Sequence, residues 1–329
     1  MNKKKGKILV GVQEIAGFAN AYAQGLRELG YNADFVTYFK HNFDYPYDKY
    51  MPVGKYNKEM YLIAFLNYYF KHFMNFIRIV FNYDYYIFLF GYTLLPYNID
   101  IPLLKIFKKK VIMVYLGDDI RKRKADSDLK AGRRIRLVEK YVDAIFAQKE
   151  YAQRLTKDYY HVFAPIDTVL WNSSEKIIKD NKPLIVHAPS CRNVKGTEYV
   201  IAAIEKLKLD GFCFEFKLLE NLSNKDVQSC LRDSHIVIDQ LMIGWHGRLA
   251  IEAMALRNVV LCYLNTDYLE DIENLPIINV TKENLYYKLK ELLENQNRIS
   301  IIADESRMFV EKHHDMNKVV KKFIEIFNL

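Results

Sequence analysis

LIVHAPSCRNVKGTEYVIAAIEKL, residues 184–207, carries three features in succession. Leu184 to Pro189 is an apolar run of strand length, Ser190 to Gly196 is a polar turn with two cations, and Thr197 opens a stretch with apolar residues at helical spacing. Strand, cationic loop and helix N-terminus in that order form a diphosphate site, because first-turn N–H groups and the helix dipole add to the positive side chains. Arg192 offers a bidentate fork, Lys195 a point charge, and Gly196 closes the turn before the helix. The plainer alternative is an arginine and a lysine that simply face water on a loop.

A second stretch, DQLMIGWHGRLAIEAMALRNVVLCYL at 239–264, reads as a strand end, a turn carrying Gly244 and Gly247, a helix and a further strand. The two glycines let a ligand approach the backbone closely. Glu252 follows Arg248 on a helix of small residues, where a carboxylate can accept hydrogen bonds from ribose hydroxyls, as the acidic residue of dinucleotide folds does. A solvated helix glutamate is the alternative, and the flanking Ile251, Ala253, Met254 and Ala255 argue against it.

Outward from these stretches, strand-like runs alternate with helix-length segments through most of the chain, which predicts repeated βα units and parallel sheets. KILVGV, ADFVTY, YYIFLFG, KVIMVYLG and DAIFAQ form a first series, and LIVHAP, FEFKLLE, SHIVIDQL, NVVLCYL and IINV a second. Between the series, residues 161–183 lose periodicity and gather Pro165, Asn172, Ser173, Ser174, Asp180, Asn181 and Pro183, the signature of a linker. Residues 303–329 read as two helices broken near His314 and Asp315.

A chain of 329 residues suits two α/β domains of roughly 150 residues each, with a cleft between them. Half its residues are hydrophobic and 27% charged, which excludes a disordered or fibrous protein. The formal charge of +8 favours an anionic partner. Cys191, Cys213, Cys230 and Cys262 form no C-x-x-C pair, so reduced cytosolic thiols are expected. Lys3, Lys4 and Lys5 precede an apolar stretch that runs only from Ile8 to Val12, which reads as a first strand and not a signal peptide. Met60 to Phe81 is rich in Tyr, Phe, Ile and Leu, yet Asn67, Lys71, Asn75 and Arg78 recur at helical spacing and argue against a transmembrane span. A helix buried against the first sheet and a membrane-surface helix both fit that pattern.

The pair HAPSCRNVKGTEYVIAAIEKL and IVIDQLMIGWHGRLAIEAMALRNVVLCYL, in this order and spacing, resembles the group-1 (GT4-like) retaining glycosyltransferases of the GT-B fold. The resemblance covers about residues 184–264 and is architectural elsewhere. It implies two Rossmann-like domains facing a central cleft: an acceptor domain at 1–168, a nucleotide-sugar donor domain at 169–312, and a C-terminal helix at 313–329 that crosses back to the N-terminal domain. It also implies that Arg192 and Lys195 bind the donor diphosphate and Glu252 the ribose, with Trp245 and His246 beside the donor sugar. Two positions depart from the family. Gly244 stands where a glutamate is frequent, eight residues before Glu252, and Arg257 stands where a glycine is usual.

In this frame Gly17, after the first strand and before a helix, is a place where backbone N–H groups meet donor phosphate or acceptor. Asp118, Asp119, Ile120 and Arg121 follow KVIMVYLG at the carboxyl edge where ligands of open sheets gather. Asp119 is expected to orient an acceptor hydroxyl or act as a weak base, or else to cap the next helix. An adjacent Asp pair without further ligands makes no metal site. Arg121, Lys122, Arg123, Lys124, Lys130, Arg133, Arg134 and Arg136, with Lys108 to Lys110 before them, form either a solvated face or a surface for anionic lipid. Nucleic acid is not expected, because no recognised binding pattern accompanies the charge.

The expected activity is therefore transfer of a sugar from a nucleotide-diphosphate sugar, with UDP-sugar favoured, to a glycan or lipid-linked acceptor. No cofactor or metal is expected. The setting would be polysaccharide or cell-surface glycan assembly, in the cytoplasm or peripherally on the inner face of the membrane. The alternative is a non-catalytic nucleotide-sugar-binding partner, prompted by Gly244.

Overall fold

The computed structural model describes residues 6–41, 45–54, 62–117, 119–120, 128–149, 152, 155–269 and 272–329, with the side chains of 128–131 left aside. Lys3 to Lys5, Met60, Asp118 and Arg121 to Lys124 lie outside the described residues. The chain divides into two compact units, Met1–Pro165 with Met316–Leu329, and Ile166–Asp315.

The first unit is built on a seven-stranded sheet of β1 (Ile8–Val12), β2 (Ala33–Thr37), β3 (Lys49–Tyr50), β4 (Tyr85–Leu89), β5 (Lys110–Val114), β6 (Ala144–Ala147) and β7 (Tyr160–His161). Its order is β3-β2-β1-β4-β5-β6-β7 and its pairings are parallel. Buried on both faces, the five longer strands are nearly continuous runs of apolar residues, as parallel sheets require. The sequence pattern locates those five and misses β3 and β7, whose two residues are too few to show alternation.

Its helices are α1 (Phe18–Glu28), α2 (Leu62–Val80), α3 (Asp100–Ile106) and α4 (Asp128–Tyr141). One apolar cluster joins α2, α3 and α4 to one face of the sheet through Phe76, Ile79, Ile101, Leu104, Ile135 and Val138. Another joins α1 to the opposite face. Asn75, expected on the polar stripe of its helix, is buried and donates to the Met51 carbonyl at 3.1 Å.

The second unit holds β8 (Leu184–His187), β9 (Glu215–Leu218), β10 (Ile236–Ile238), β11 (Val259–Cys262) and β12 (Ile277–Asn279), a parallel sheet in the order β12-β11-β10-β8-β9. Around it lie α5 (Arg192–Lys195), α6 (Thr197–Leu209), α7 (Asn224–Asp233), α8 (Arg248–Ala255), α9 (Leu285–Glu294) and α10 (Asn297–His313). The 161–183 segment is not a loose tether throughout, since Trp171 is buried and its carbonyl accepts from Arg307 at 2.6 Å.

The last helix, α11 (Met316–Phe327), belongs to the first unit. Met316, Val320, Phe323 and Phe327 recur at helical spacing and are buried. Phe323 packs edge-on against Tyr22 of α1 at 5.0 Å and Phe146 of β6 at 4.7 Å. The return of the C-terminal helix to the N-terminal half is thus a matter of apolar burial.

Candidate functional site

In the second unit the chain runs from β8 to β9 on one side and reaches β10 on the other. Strands β8 and β10 are neighbours, with His187 in register with Ile238, so the sheet reverses its winding between them. Open α/β sheets bind ligands beyond the carboxyl ends of strands at such a switch point. Both stretches read from the sequence start there, Ser190 to Gly196 after β8 and Asp239 to Gly247 after β10.

Buried His187 locks this corner. Its Nδ1 lies 2.8 Å from the Ile238 carbonyl and its Nε2 3.0 Å from the Thr197 hydroxyl. A carbonyl only accepts, so Nδ1 carries the proton and Nε2 accepts from Thr197. Burial lowers the imidazole pKa and favours this neutral form.

Lys195 is buried at the end of α5. Its Nζ lies 2.6 Å from Asp239 Oδ1 and 2.9 Å from Gln240 Oε1. The other Asp239 oxygen accepts from the Gly247 amide at 2.6 Å, so one fully buried carboxylate fixes both the lysine and the start of α8. A Cβ on Gly247 would come within 3.1 Å of Asp239 Oδ2 and 3.2 Å of Lys195 Nζ, which explains the glycine. Gly196 and Gly247 are the N-caps of α6 and α8, and neither supplies a side-chain acceptor. The Tyr199 amide of α6 donates to the Gly196 carbonyl at 3.0 Å and the Gly247 amide is held by Asp239, whereas the first amides of a helix ordinarily have no intrahelical partner and suit an anion.

Arg192 points elsewhere. Its guanidinium is shared between Glu198, at 2.8 Å, and Glu220, which it grips through Nη1 at 2.8 and 2.9 Å. The Glu198 side chain is 71% exposed. Water screens a pair this exposed, so a diphosphate competes with it for the guanidinium.

Glu252 is buried on α8, and Arg248 donates from Nε to its carboxylate at 3.0 Å. Burial raises the Glu252 pKa, Arg248 opposes the rise and Asp239 adds to it. Trp245 and His246 are also buried, stacked with ring centroids 5.0 Å apart, and His246 is no exposed turn histidine. The Trp245 indole N–H is buried without a hydrogen-bond acceptor. Gly244 adopts φ +86°, and a Cβ there would sit 3.2 Å from that of Asn265, so the turn disfavours a glutamate. Arg257 takes φ +56°, the left-handed backbone for which glycine is the easier residue.

Gly17 and Asp119 lie in the first unit. Gly17 caps α1 in the left-handed region, but the buried Glu14 carboxylate accepts from the Ala19 and Asn20 amides at 3.3 and 3.1 Å and occupies that helix end. Asp119 accepts from the Leu116 and Gly117 amides of its own turn, at 3.2 and 2.8 Å. It also lines a cavity of about 200 Å³ with Tyr92, Asn98, Tyr115 and Arg134. The Asn98 side-chain amide is buried with its Nδ2 lacking an acceptor.

Lys195, Gly196, Gly244, Trp245, His246, Gly247 and Glu252 thus share the β8–β10 corner. Asp239, Gln240 and Arg248 join them without having been singled out in the sequence. The signal for Asp239 and Gln240 was two polar residues directly after the apolar strand HIVI. A further cavity of about 260 Å³ is lined by Lys176, His235 and Arg257, residues at or before the amino ends of β10 and β11, away from this corner.

No protein-family model and no curated protein matches the chain. Solved structures match over nearly its whole length. A glycosyltransferase from Rickettsia africae superposes with a TM-score of 0.69 at 15% identity, covering 99% of this chain and 98% of that one. The HepE protein of Anabaena in complex with UDP-glucose gives 0.68 at 12% identity, over 98% and 99%. The UDP-GlcNAc 2-epimerase of Methanocaldococcus jannaschii gives 0.57 at 14% identity, over 98% and 99%. At these identities the likeness is one of fold, and the fold is GT-B, with two Rossmann-like halves on parallel sheets of seven and five strands.

Proposed function

We propose that the protein is a glycosyltransferase that takes a sugar from a nucleotide-diphosphate sugar, UDP-sugar being favoured, and passes it to a glycan or lipid-linked acceptor. The observation that carries this reading is the β8–β10 corner, where a buried lysine and two glycine-capped helix N-termini meet at a switch point. The Anabaena fold neighbour in complex with UDP-glucose supports the choice of donor.

Lys195, Arg192 and the amides after Gly196 and Gly247 stabilise the charge that develops on the departing diphosphate. Glu252 receives the ribose hydroxyls, exchanging Arg248 for them. Gly244 brings backbone close to the donor, and Trp245 and His246 border the sugar. In the first unit Asp119 orients the acceptor hydroxyl, with Gly17 contributing backbone at the same sheet edge. The chemistry needs no metal or cofactor.

A group-1, GT4-like hexosyltransferase acting with retention is the finer form of this reading, in polysaccharide or cell-surface glycan assembly. We infer that the protein works in the cytoplasm, peripherally on the inner face of the membrane. Release of nucleoside diphosphate from a panel of nucleotide sugars, with and without glycan acceptors, tests it. Turnover that falls at least a hundredfold in Asp119→Asn and in Glu252→Gln is expected. Tight nucleotide binding with no turnover on any acceptor would favour the non-catalytic partner instead.

A further inference from the structure

The apolar side of helix α2 is wider than the face it buries. Phe76, Ile79 and Val80 enter the core. Ile63, Leu66, Phe70, Phe73 and Ile77, with Phe81 just past its end, recur every three or four residues and, at 3.6 residues per turn, fall within an arc of roughly 80° that adjoins the core face. All six are exposed, Ile63 by 82%, Phe70 by 61% and Phe73 by 52%. More than a third of each side chain thus stays outside the packing of this unit.

The stripe continues onto the next helix. Phe81 meets Phe107 edge-on at 5.7 Å, and Phe107 belongs with Ile99, Leu103 and Ile106 to the exposed apolar side of α3. Soluble surfaces seldom carry so contiguous an apolar patch unless something covers it.

Charge says what the occupant is. Asn67, Lys71 and Arg78 border the stripe along one side of α2, Lys108 lies exposed beside Phe107, and residues 62–83 contain no Asp or Glu. An apolar face inserted among acyl chains, with cations at headgroup level, is the design of an interfacial helix. Among the described residues no helix is long and apolar enough to cross a membrane, so the face lies on a bilayer and does not span one.

We propose that the outer faces of α2 and α3 dock the first unit onto an anionic phospholipid bilayer. The proposal specifies which surface makes the peripheral contact and does not depend on the sugar-transfer chemistry.

Co-sedimentation with vesicles of phosphatidylcholine alone, or mixed with phosphatidylglycerol, tests it without any nucleotide. Wild type is expected to pellet at least tenfold more with the mixed vesicles at low salt, and less as salt screens the cations. Phe70→Glu with Phe73→Glu should lower the bound fraction at least tenfold while melting temperature and UDP affinity stay unchanged, since both side chains are exposed. Lys71→Glu with Arg78→Glu should weaken binding to the mixed vesicles and leave a residue insensitive to salt. Wild type that stays in the supernatant, or a Phe pair variant that pellets like wild type, overturns the proposal. So does a wild-type dimer by light scattering that the Phe pair splits without any vesicle binding, because the face would then cover a second copy. Failure here leaves the donor reading to its own test, and failure of donor turnover leaves vesicle binding as it is.

Discussion

In the first unit the loop after β1 brings Gly17, at φ +81°, to the N-cap of α1, and in the second the loop after β8 brings Gly196, at φ +72°, to the N-cap of α6. Both turns deliver helix amides to the carboxyl edge of a parallel sheet. What differs is the carboxylate nearby. Glu14 bonds two amides of α1 and so takes the place an anionic ligand would fill. Asp239 takes the single amide of Gly247 and spends its other oxygen on Lys195, leaving the rest of the α8 first turn uncapped. The strand–glycine–helix turn of the first unit is thus closed by a carboxylate on two amides, whereas Asp239 in the second holds only the Gly247 amide and leaves the rest of that helix end for the anion proposed above.

The sharpest way to break this contrast is Lys195→Ala. It would strand Asp239 as an unpaired buried charge, and removing one partner of such a pair costs about 3–5 kcal/mol. Chemical denaturation should show that loss, and Lys195→Met combined with Asp239→Asn should recover much of it. A loss below about 1 kcal/mol would mean that Asp239 does not depend on the lysine. For the same reason Lys195→Ala alone is a poor probe of donor binding.

Gly244→Glu puts a side chain into a left-handed turn, where its Cβ would stand 3.2 Å from that of Asn265. A loss of about 1–2 kcal/mol is expected from the backbone alone. A variant as stable as wild type would show that the turn rearranges easily. On the other side of the comparison, Glu14→Ala should lower the stability of the first unit by about 1 kcal/mol, as loss of a helix cap does, without changing UDP affinity. Tighter UDP binding in that variant would mean that the first unit competes for the diphosphate.

The smallest expected effect concerns Lys176, whose Nζ donates to the carbonyls of Leu231 and Ser234 and to Asn258 Oδ1, at 3.0, 2.6 and 2.9 Å. Burial pushes its pKa down to about 7, from 10.5 when unfolded. Between those values the unfolded chain holds a proton that the folded one has released, so stability rises with pH from about 7 upward. Because three acceptors favour the ammonium, the rise between pH 7 and 9 should be on the order of 1 kcal/mol, and absent in Lys176→Met. A flat profile in wild type would show that the acceptors outweigh burial.

Most of the ten strands read from the sequence were legible because a parallel strand buried on both faces has few polar positions to blur it, while β9, at the edge of its sheet, showed by alternation of Glu215 and Lys217 with apolar residues. Strands β3 and β7 could not, being two residues long. Gly196, Gly244 and Gly247 were legible because glycine at a strand–helix turn has few other uses. The state of Arg192 was not legible, since Glu220, which holds it, stands 28 positions further along and only the sheet brings it near. Nor was the Glu14 cap, where a carboxylate folds back over five and six residues onto amides that sequence alone leaves equivalent. Periodicity marked α2 as amphipathic but could not say how much of its apolar side stays exposed, because that requires knowing which part meets the sheet.

The most direct test of the donor site proposed in the second unit is calorimetric titration of UDP into wild type, Arg192→Ala and Glu252→Gln. Wild type should bind, and each substitution should raise Kd about tenfold, or about 1.4 kcal/mol, with Arg192→Ala leaving thermal stability nearly unchanged. Folded wild type that binds no nucleoside diphosphate, or equal affinity in all three proteins, would contradict the donor site proposed at β8 and β10.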